Sequence, residues 1–165
     1  MKIVKANKTQ INIINKIVQD TIDSIYPKYY PKGAVNFFKS YHNDVNILKD
    51  INEGNVFLLQ VDDTYVGTVT KQKNEINRLF ILQQYQHNGY GKILLDFIEN
   101  KIAEEYFDVQ LSTSLPAKKM YLNRGYIETE YLQIVTENKD VLCYDNLYKV
   151  LKKDIKDNTT NENKL

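Results

Sequence analysis

The chain predicts a mixed α/β fold in one domain, with a mostly antiparallel central sheet of about six to seven strands flanked by about four helices. Three observations carry that expectation. Val56 to Val61 and Tyr65 to Lys71 are strand-like runs flanking Asp62-Asp63-Thr64, and Glu75 to Leu82 follows as a third, making an antiparallel meander. The strand-like Ile76 to Leu82 then leads through a turn with two glycines, Gln86 to Lys92, into a helix-like run beginning at Ile93. Finally, Tyr126 to Thr136 and Val141 to Val150 flank Asn138-Lys139-Asp140 as a closing hairpin.

The elements follow in order. Residues 2 to 5 are a short β-prone start. Thr9 to Ile25 carries Ile11, Ile14, Ile17, Val18, Thr21, Ile22 and Ile25 at helical spacing, with Thr9 as the expected N-cap. Pro27 and Pro31 interrupt that helix, and Ala34 to His42 reads as a second, short one. After the meander and the glycine turn, Ile93, Leu94, Phe97, Ile98 and Ile102 form one apolar helix face. Val109 to Ser114 is a strand and Ala117 to Asn123 a short helix before the closing hairpin. Residues 1 to 150 make the domain. Residues 151 to 165 are polar and almost free of apolar residues, so a flexible C-terminal tail is expected there.

Composition excludes several classes. At 165 residues the chain suits a single core, and its 22 basic and 21 acidic residues give no global electrostatic pull toward nucleic acid or an anionic membrane. Cys143 is the only cysteine, so no intrachain disulfide forms. With no apolar leader or long apolar span, a cytoplasmic enzyme is the expectation.

The glycine turn is the most informative segment. Glycine permits backbone angles and close approaches that a side chain blocks, so successive N–H groups point at one anion, and the following helix adds its unpaired first-turn donors. A pyrophosphate is the natural guest. A P-loop would need Ser or Thr after Gly91-Lys92, where the chain has Ile93; a dinucleotide fingerprint would need Gly or Ala at position 94, where it has Leu94.

Gln86-His87-Asn88-Gly89-Tyr90-Gly91 closely resembles the phosphate-binding signature of the GNAT superfamily of acyl-CoA-dependent N-acyltransferases: Gln or Arg, two residues, Gly, one residue, then Gly or Ala. Pro116 to Tyr126 resembles the family's later Ala-x-x-Phe-Tyr-x-x-x-Gly-Phe pattern, with Met120 and Tyr126 in place of the two phenylalanines. The resemblance covers roughly residues 1 to 150. It implies that the sheet splays between the strand ending near Leu82 and the strand at Val109 to Ser114 to admit acetyl-CoA as cosubstrate. Gln86, His87, Asn88, Gly89, Tyr90, Gly91 and Lys92 would hold its phosphates. Main-chain groups of Phe80 and Ile81 would pair with its pantetheine, as an added strand does. The Ile81 N–H is the implied oxyanion donor, freed by a bulge in its strand. Ser114 stands where relatives often carry an asparagine that touches the cofactor, and its side chain reaches less far.

Acetyl transfer to an amine needs a neutral nucleophile, a stabilised carbonyl oxygen and a proton for the departing thiolate. The resemblance places Tyr121 as that proton donor. Glu75 lies eleven residues before Gln86, the spacing of the catalytic base in some protein-acetylating relatives; the alternatives are a solvated strand-end carboxylate and a water relay. Period-two alternation puts Glu75, Asn77, Leu79 and Ile81 on one face. Neither His42 nor His87 reads as catalytic, Cys143 reads as a buried strand residue, and no metal is expected.

For the acceptor, the resemblance implicates Tyr26, Tyr29, Tyr30 and the stretch from Tyr131 to Tyr148. Aromatic faces with hydroxyls suit a small primary amine such as an amino acid or polyamine. Two alternatives stand beside it: a protein or peptide N-acetyltransferase, and a non-catalytic acyl-CoA sensor. The family leaves a homodimer open.

Overall fold

The computed structural model describes residues 1–151, which form a seven-stranded sheet in the order β1-β2-β3-β4-β5-β7-β6. The strands are β1 (Lys2–Lys5), β2 (Val56–Val61), β3 (Thr64–Gln72), β4 (Glu75–Ile81), β5 (Asp108–Thr113), β6 (Ile127–Val135) and β7 (Val141–Val150). Five α-helices accompany them: α1 (Ile11–Ile25), α2 (Lys32–Tyr41), α3 (Asp44–Asn52), α4 (Tyr90–Ala103) and α5 (Leu115–Asn123). The mixed fold and the meander are as expected, and α3 is an addition. Its signal was legible: Asn43 Oδ1 accepts the Asn46 N–H at 2.9 Å as an N-cap, and Ile47 and Ile51, one turn apart, are buried.

The first helix starts differently from the expectation. Asn7, not Thr9, is the cap: Asn7 Oδ1 accepts from the Thr9 N–H at 2.9 Å, while Gln10 Oε1 accepts the Asn7 N–H at 3.0 Å. This reciprocal pair closes a 3-10 turn, Lys8–Gln10, ahead of α1. The Pro27 and Pro31 interruption holds, with a single 3-10 turn at Tyr26–Lys28 before α2. Of the expected tail, residues 152–165 lie outside the described residues; Leu151 is buried against the core and donates its N–H to Phe107 O at 2.8 Å.

Two cores sandwich the sheet. On one face α4 lays Leu94, Leu95, Ile98 and Ile102 against Val69, Ile76, Ile81 and Val109. On the other, α1 to α3 bury Ile14, Ile17, Ile22 and Ile47 against Leu58 and Phe80. Each such side chain contributes about 2 kcal/mol of apolar burial.

Two irregularities in β4 prepare the site. The first is a bulge. Thr70 pairs with Arg78 but Lys71 pairs with Ile76, so Asn77 is an extra residue. The extra residue reverses the alternation, and the expected common face of Glu75, Asn77, Leu79 and Ile81 does not form. Ile76, Leu79 and Ile81 belong to the α4 face, whereas Arg78 and Phe80, with Glu75 before the bulge, look toward α1 to α3. The second irregularity is the splay. β4 and β5 run parallel and pair at one position, Glu75 with Gln110, supported by Gln110 N–H to Asn74 O at 3.0 Å. Beyond that point they diverge, leaving a wedge that widens toward Ile81 and Thr113.

Candidate active site

One side of the wedge is the glycine turn. A 3-10 turn, Gln83–Tyr85, leaves β4, and Asn88 Nδ2 ties the loop by donating to Tyr85 O at 3.1 Å and Gln86 O at 3.0 Å. His87 has φ 64° and Gly89 φ 80° at the cap of α4. The first bond into the helix runs from Ile93 N–H to Gly89 O at 3.1 Å. The six N–H groups from His87 to Lys92 therefore have no partner among the described residues. A Cβ placed on Gly89 would meet nothing within 4 Å, and one on Gly91 would find only Met120 Sδ at 3.8 Å. Unpaired donors beside open space at a helix N-terminus suit a pyrophosphate. The Gln86 side chain faces inward instead, donating to Ile81 O at 2.9 Å, and Lys92 Nζ pairs with Asp96 at 2.8 Å.

The strand side of the wedge follows from register. Leu82 N–H donates to Val66 O at 3.0 Å, so alternation turns the main chain of Phe80 toward β3 and that of Leu79 and Ile81 toward the wedge. This corrects one expectation: Leu79, not Phe80, accompanies Ile81 at the open edge. The bulge at Asn77 sets that phase.

Tyr121 lies on α5, nearly buried, with its ring edge-on to Tyr126 at 5.3 Å. Its hydroxyl has no partner among the described residues. Burial, the nearby Tyr26 hydroxyl and the Glu99 carboxylate push this phenol well above the usual tyrosine range, so it remains a proton donor at every working pH. A buried ionic cluster fixes α5: Glu99 accepts from Arg124 Nε at 2.7 Å, Tyr126 OH at 2.8 Å and Lys149 Nζ at 3.0 Å. Burial opposes the Glu99 charge, yet these donors outweigh it and hold the carboxyl below its ordinary range. Ser114 precedes α5 as its cap residue rather than ending β5, and its Oγ accepts from Tyr26 OH at 3.1 Å.

On the opposite face of the wedge is a cavity of about 190 Å³. α2 and its end supply Phe37, Phe38, Tyr41 and His42; β4 supplies Glu75 and Asn77; β5 supplies Ser112 and Thr113, followed by Ser114 at the start of α5; and the last hairpin supplies Ile134, Leu142 and Tyr144. Glu75 is half-buried, and that burial raises its carboxyl above the ordinary value. The three tyrosines expected at the acceptor do not line this cavity. Tyr26 and Tyr30 are buried pegs: Tyr30 OH donates to Cys143 O at 3.1 Å and accepts the Leu115 N–H at 2.7 Å, while Tyr29 is largely exposed. The expected contribution from 131 to 148 is present in Ile134, Leu142 and Tyr144.

His42, which the sequence does not mark as catalytic, stands in the wall of this cavity. It is buried, and Arg78 Nε donates to its Nδ1 at 3.2 Å. Arg78 in turn forms a buried ion pair with Asp50, whose other oxygen accepts from Gln72 Nε2 at 2.7 Å. Burial and the Arg78 charge push the imidazole down to about 3, so it is neutral. Its signal in the sequence was the aromatic Phe37-Phe38 pair four to five residues upstream, which places an apolar helix face beside it. Among the described residues no three His, Cys, Asp or Glu side chains are grouped to hold a metal ion, and no helix is long and apolar enough to cross a membrane.

Comparison with known proteins agrees with this geometry. A family profile described as an acetyltransferase (GNAT) domain matches residues 25–138. Among solved structures, a GCN5-related N-acetyltransferase from Rhodopseudomonas palustris superposes with a TM-score of 0.81 at 16% identity, covering 91% of this chain and 95% of its own. The PaiA N-acetyltransferase of Thermoplasma acidophilum, in complex with coenzyme A, gives 0.72 at 16% identity with coverages of 90% and 98%. The ribosomal-protein-S18-alanine N-acetyltransferase of Escherichia coli gives 0.69 at 14% identity with coverages of 99% and 98%. At such identities the likeness is one of fold. No curated protein sequence matches the chain.

Proposed function

Because the chain belongs to the acetyltransferase (GNAT) family, we propose that it moves the acetyl group of acetyl-CoA to the primary amine of a small molecule, by direct attack in the β4–β5 wedge. The observation that carries this reading is the run of six unpartnered N–H groups from His87 to Lys92 beside open space at the start of α4. They hold the pyrophosphate. Leu79 offers its main-chain groups to the pantetheine as a neighbouring strand would, which leaves the Ile81 N–H for the thioester.

Each remaining step falls to a group of this chain. Glu75, at the other end of β4 from Ile81, takes up the proton of the incoming ammonium through intervening water, and its raised carboxyl brings it nearer the operating pH, where a general base works best. The Ile81 N–H, turned to the wedge by the bulge, donates to the carbonyl oxygen as negative charge grows there. Tyr121 OH delivers its proton to the leaving sulfur. The apolar walls at Phe37, Phe38 and Leu142 exclude water from the thioester.

The test is free-thiol release from acetyl-CoA across amino acids, amino amides, polyamines, aminoglycosides and short peptides, with Tyr121→Phe as control. Turnover on a small amine that falls in the variant is the expected result. Turnover on peptides alone would reassign the acceptor, and tight CoA binding without turnover on any amine would favour a sensor.

A further inference from the structure

We propose that His42 is a specificity-determining residue of the acceptor cavity: a fixed hydrogen-bond donor that selects small primary amines with an apolar or aromatic body and an uncharged oxygen, as in an amide, ester or alcohol, close to the amine. This deepens the acetyl-transfer reading of the same site and rests on it.

The tautomer follows from chemistry. Arg78 Nε is always a donor, so the Nδ1 that receives it at 3.2 Å carries a lone pair, and the neutral ring bears its proton on Nε2. That Nε2–H has no partner among the described residues, yet it is not sealed off from solvent as an orphaned buried atom would be, and His42 lines the cavity. Asp50 and Gln72 hold Arg78 from behind, and the ring packs edge-on to Phe80 at 5.3 Å and Tyr41 at 5.1 Å. The imidazole is held by Arg78, Phe80 and Tyr41, which leaves Nε2–H as its one free donor in the wall of the cavity. An unpaired buried donor costs about 1–3 kcal/mol, so a ligand lacking an acceptor there is penalised.

Charge and size narrow the class. Glu75 is the carboxylate facing the cavity, and it suits the ammonium. The Arg78 charge is already met by Asp50, so a ligand carboxylate would face Glu75 with no free cation lining the cavity among the described residues. A polyamine would bring a second ammonium into walls made of Phe37, Phe38, Ile134 and Leu142. A cavity of about 190 Å³ takes one ring or branched chain. A free amino acid and a polyamine are thus both disfavoured against an amino amide or amino alcohol.

The test needs no turnover. Phenethylamine, phenylalaninol, phenylalanine amide and phenylalanine share one body, and their binding to the protein saturated with CoA is measured by calorimetry. The alcohol and the amide should bind at least tenfold more tightly than the other two. In His42→Phe the preference over phenethylamine should shrink to within twofold with CoA affinity unchanged, while phenylalanine stays disfavoured by Glu75; equal binding of the alcohol, the amide and phenethylamine by the parent protein, or a preference over phenethylamine surviving in the variant, overturns the proposal. Should His42→Phe not fold, because Arg78 loses its acceptor, nitrogen NMR of the parent protein decides. The chain has two histidines, so assignment is simple. An Nε2–H tautomer whose Nε2 resonance moves on adding the amide is expected, and an Nδ1–H or charged ring, or an unmoved Nε2, overturns it. The thiol-release assay reports separately on acetyl transfer, so loss of one conclusion is distinguishable from loss of the other.

Discussion

Gln86 Nε2 donates to Ile81 O at 2.9 Å, so the first residue of the glycine turn holds the end of the strand whose N–H faces the wedge. Its side chain is a brace between the glycine turn and the end of β4, and the same carbonyl also receives Thr21 Oγ1 at 3.3 Å.

Removing that brace should loosen both ends at once. Gln86→Met keeps the length and loses the bond, worth about 1 kcal/mol. CoA affinity by calorimetry should fall roughly fivefold. An unchanged affinity would mean that the loop keeps its shape without the brace.

The two glycines should separate binding from folding. Gly89 has φ 80°, so any side chain there strains the backbone by about 1 kcal/mol besides blocking the guest. Gly91 has ordinary helical angles and open space around its Cβ position. Gly91→Leu should therefore leave the melting temperature unchanged or raised, since a better helix former replaces glycine, while CoA binding weakens at least tenfold. Full CoA affinity in a folded Gly91→Leu protein would remove the anion-site assignment.

Tyr121→Phe keeps the ring against Tyr126 and deletes only the hydroxyl. Turnover should drop about 100-fold, the usual scale of general-acid loss, with the CoA dissociation constant within twofold of the parent. Because burial raises this phenol, the parent rate should show no alkaline limb attributable to Tyr121 below pH 10. Equal turnover in the variant would take the acid role from it.

Glu75 links activity to stability with opposite signs. Its carboxyl is raised in the folded protein, so the fold binds that proton more tightly than the unfolded chain does, and the stability so contributed is full at low pH and declines as pH rises above about 4.5. Glu75→Gln should then be more stable than the parent near neutral pH in urea titrations, while its rate profile loses the acidic limb of a base that must be deprotonated. A variant that keeps the limb would argue for a water relay that bypasses Glu75.

His42 has the reverse sign. Its folded value of about 3 lies below the unfolded 6.5, so its neutral form contributes stability that is present above pH 6.5 and lost as pH falls toward 3. Over that window the loss approaches about 1.4 kcal/mol per pH unit. His42→Gln should flatten the acid side of the stability profile, and an unchanged slope would place the lost proton elsewhere.

Much of this was readable in one dimension because it depends on local chemistry. The glycine turn, its following helix and the meander are set by backbone freedom, apolar period and turn residues within a few positions of each other, so the turn from Gln86 to Lys92 and the helix after it are legible in the sequence. The Asn7 cap and α3 were legible by the same rules and were passed over because Thr9 and the preceding helix drew the boundaries. What one dimension does not contain is phase and distance. A single extra residue at Asn77 turned Glu75 away from Leu79 and Ile81 and turned the Ile81 main chain toward the wedge, because side-chain period two is reset by any insertion in a strand. The cavity joins residues from α2, β4, β5 and the last hairpin, and the tautomer of His42 is set by Arg78, 36 positions away. Only packing decides which of thirteen tyrosines become buried pegs and which histidine is left with one free donor, since burial and partner geometry are properties of the folded contact and not of the residue.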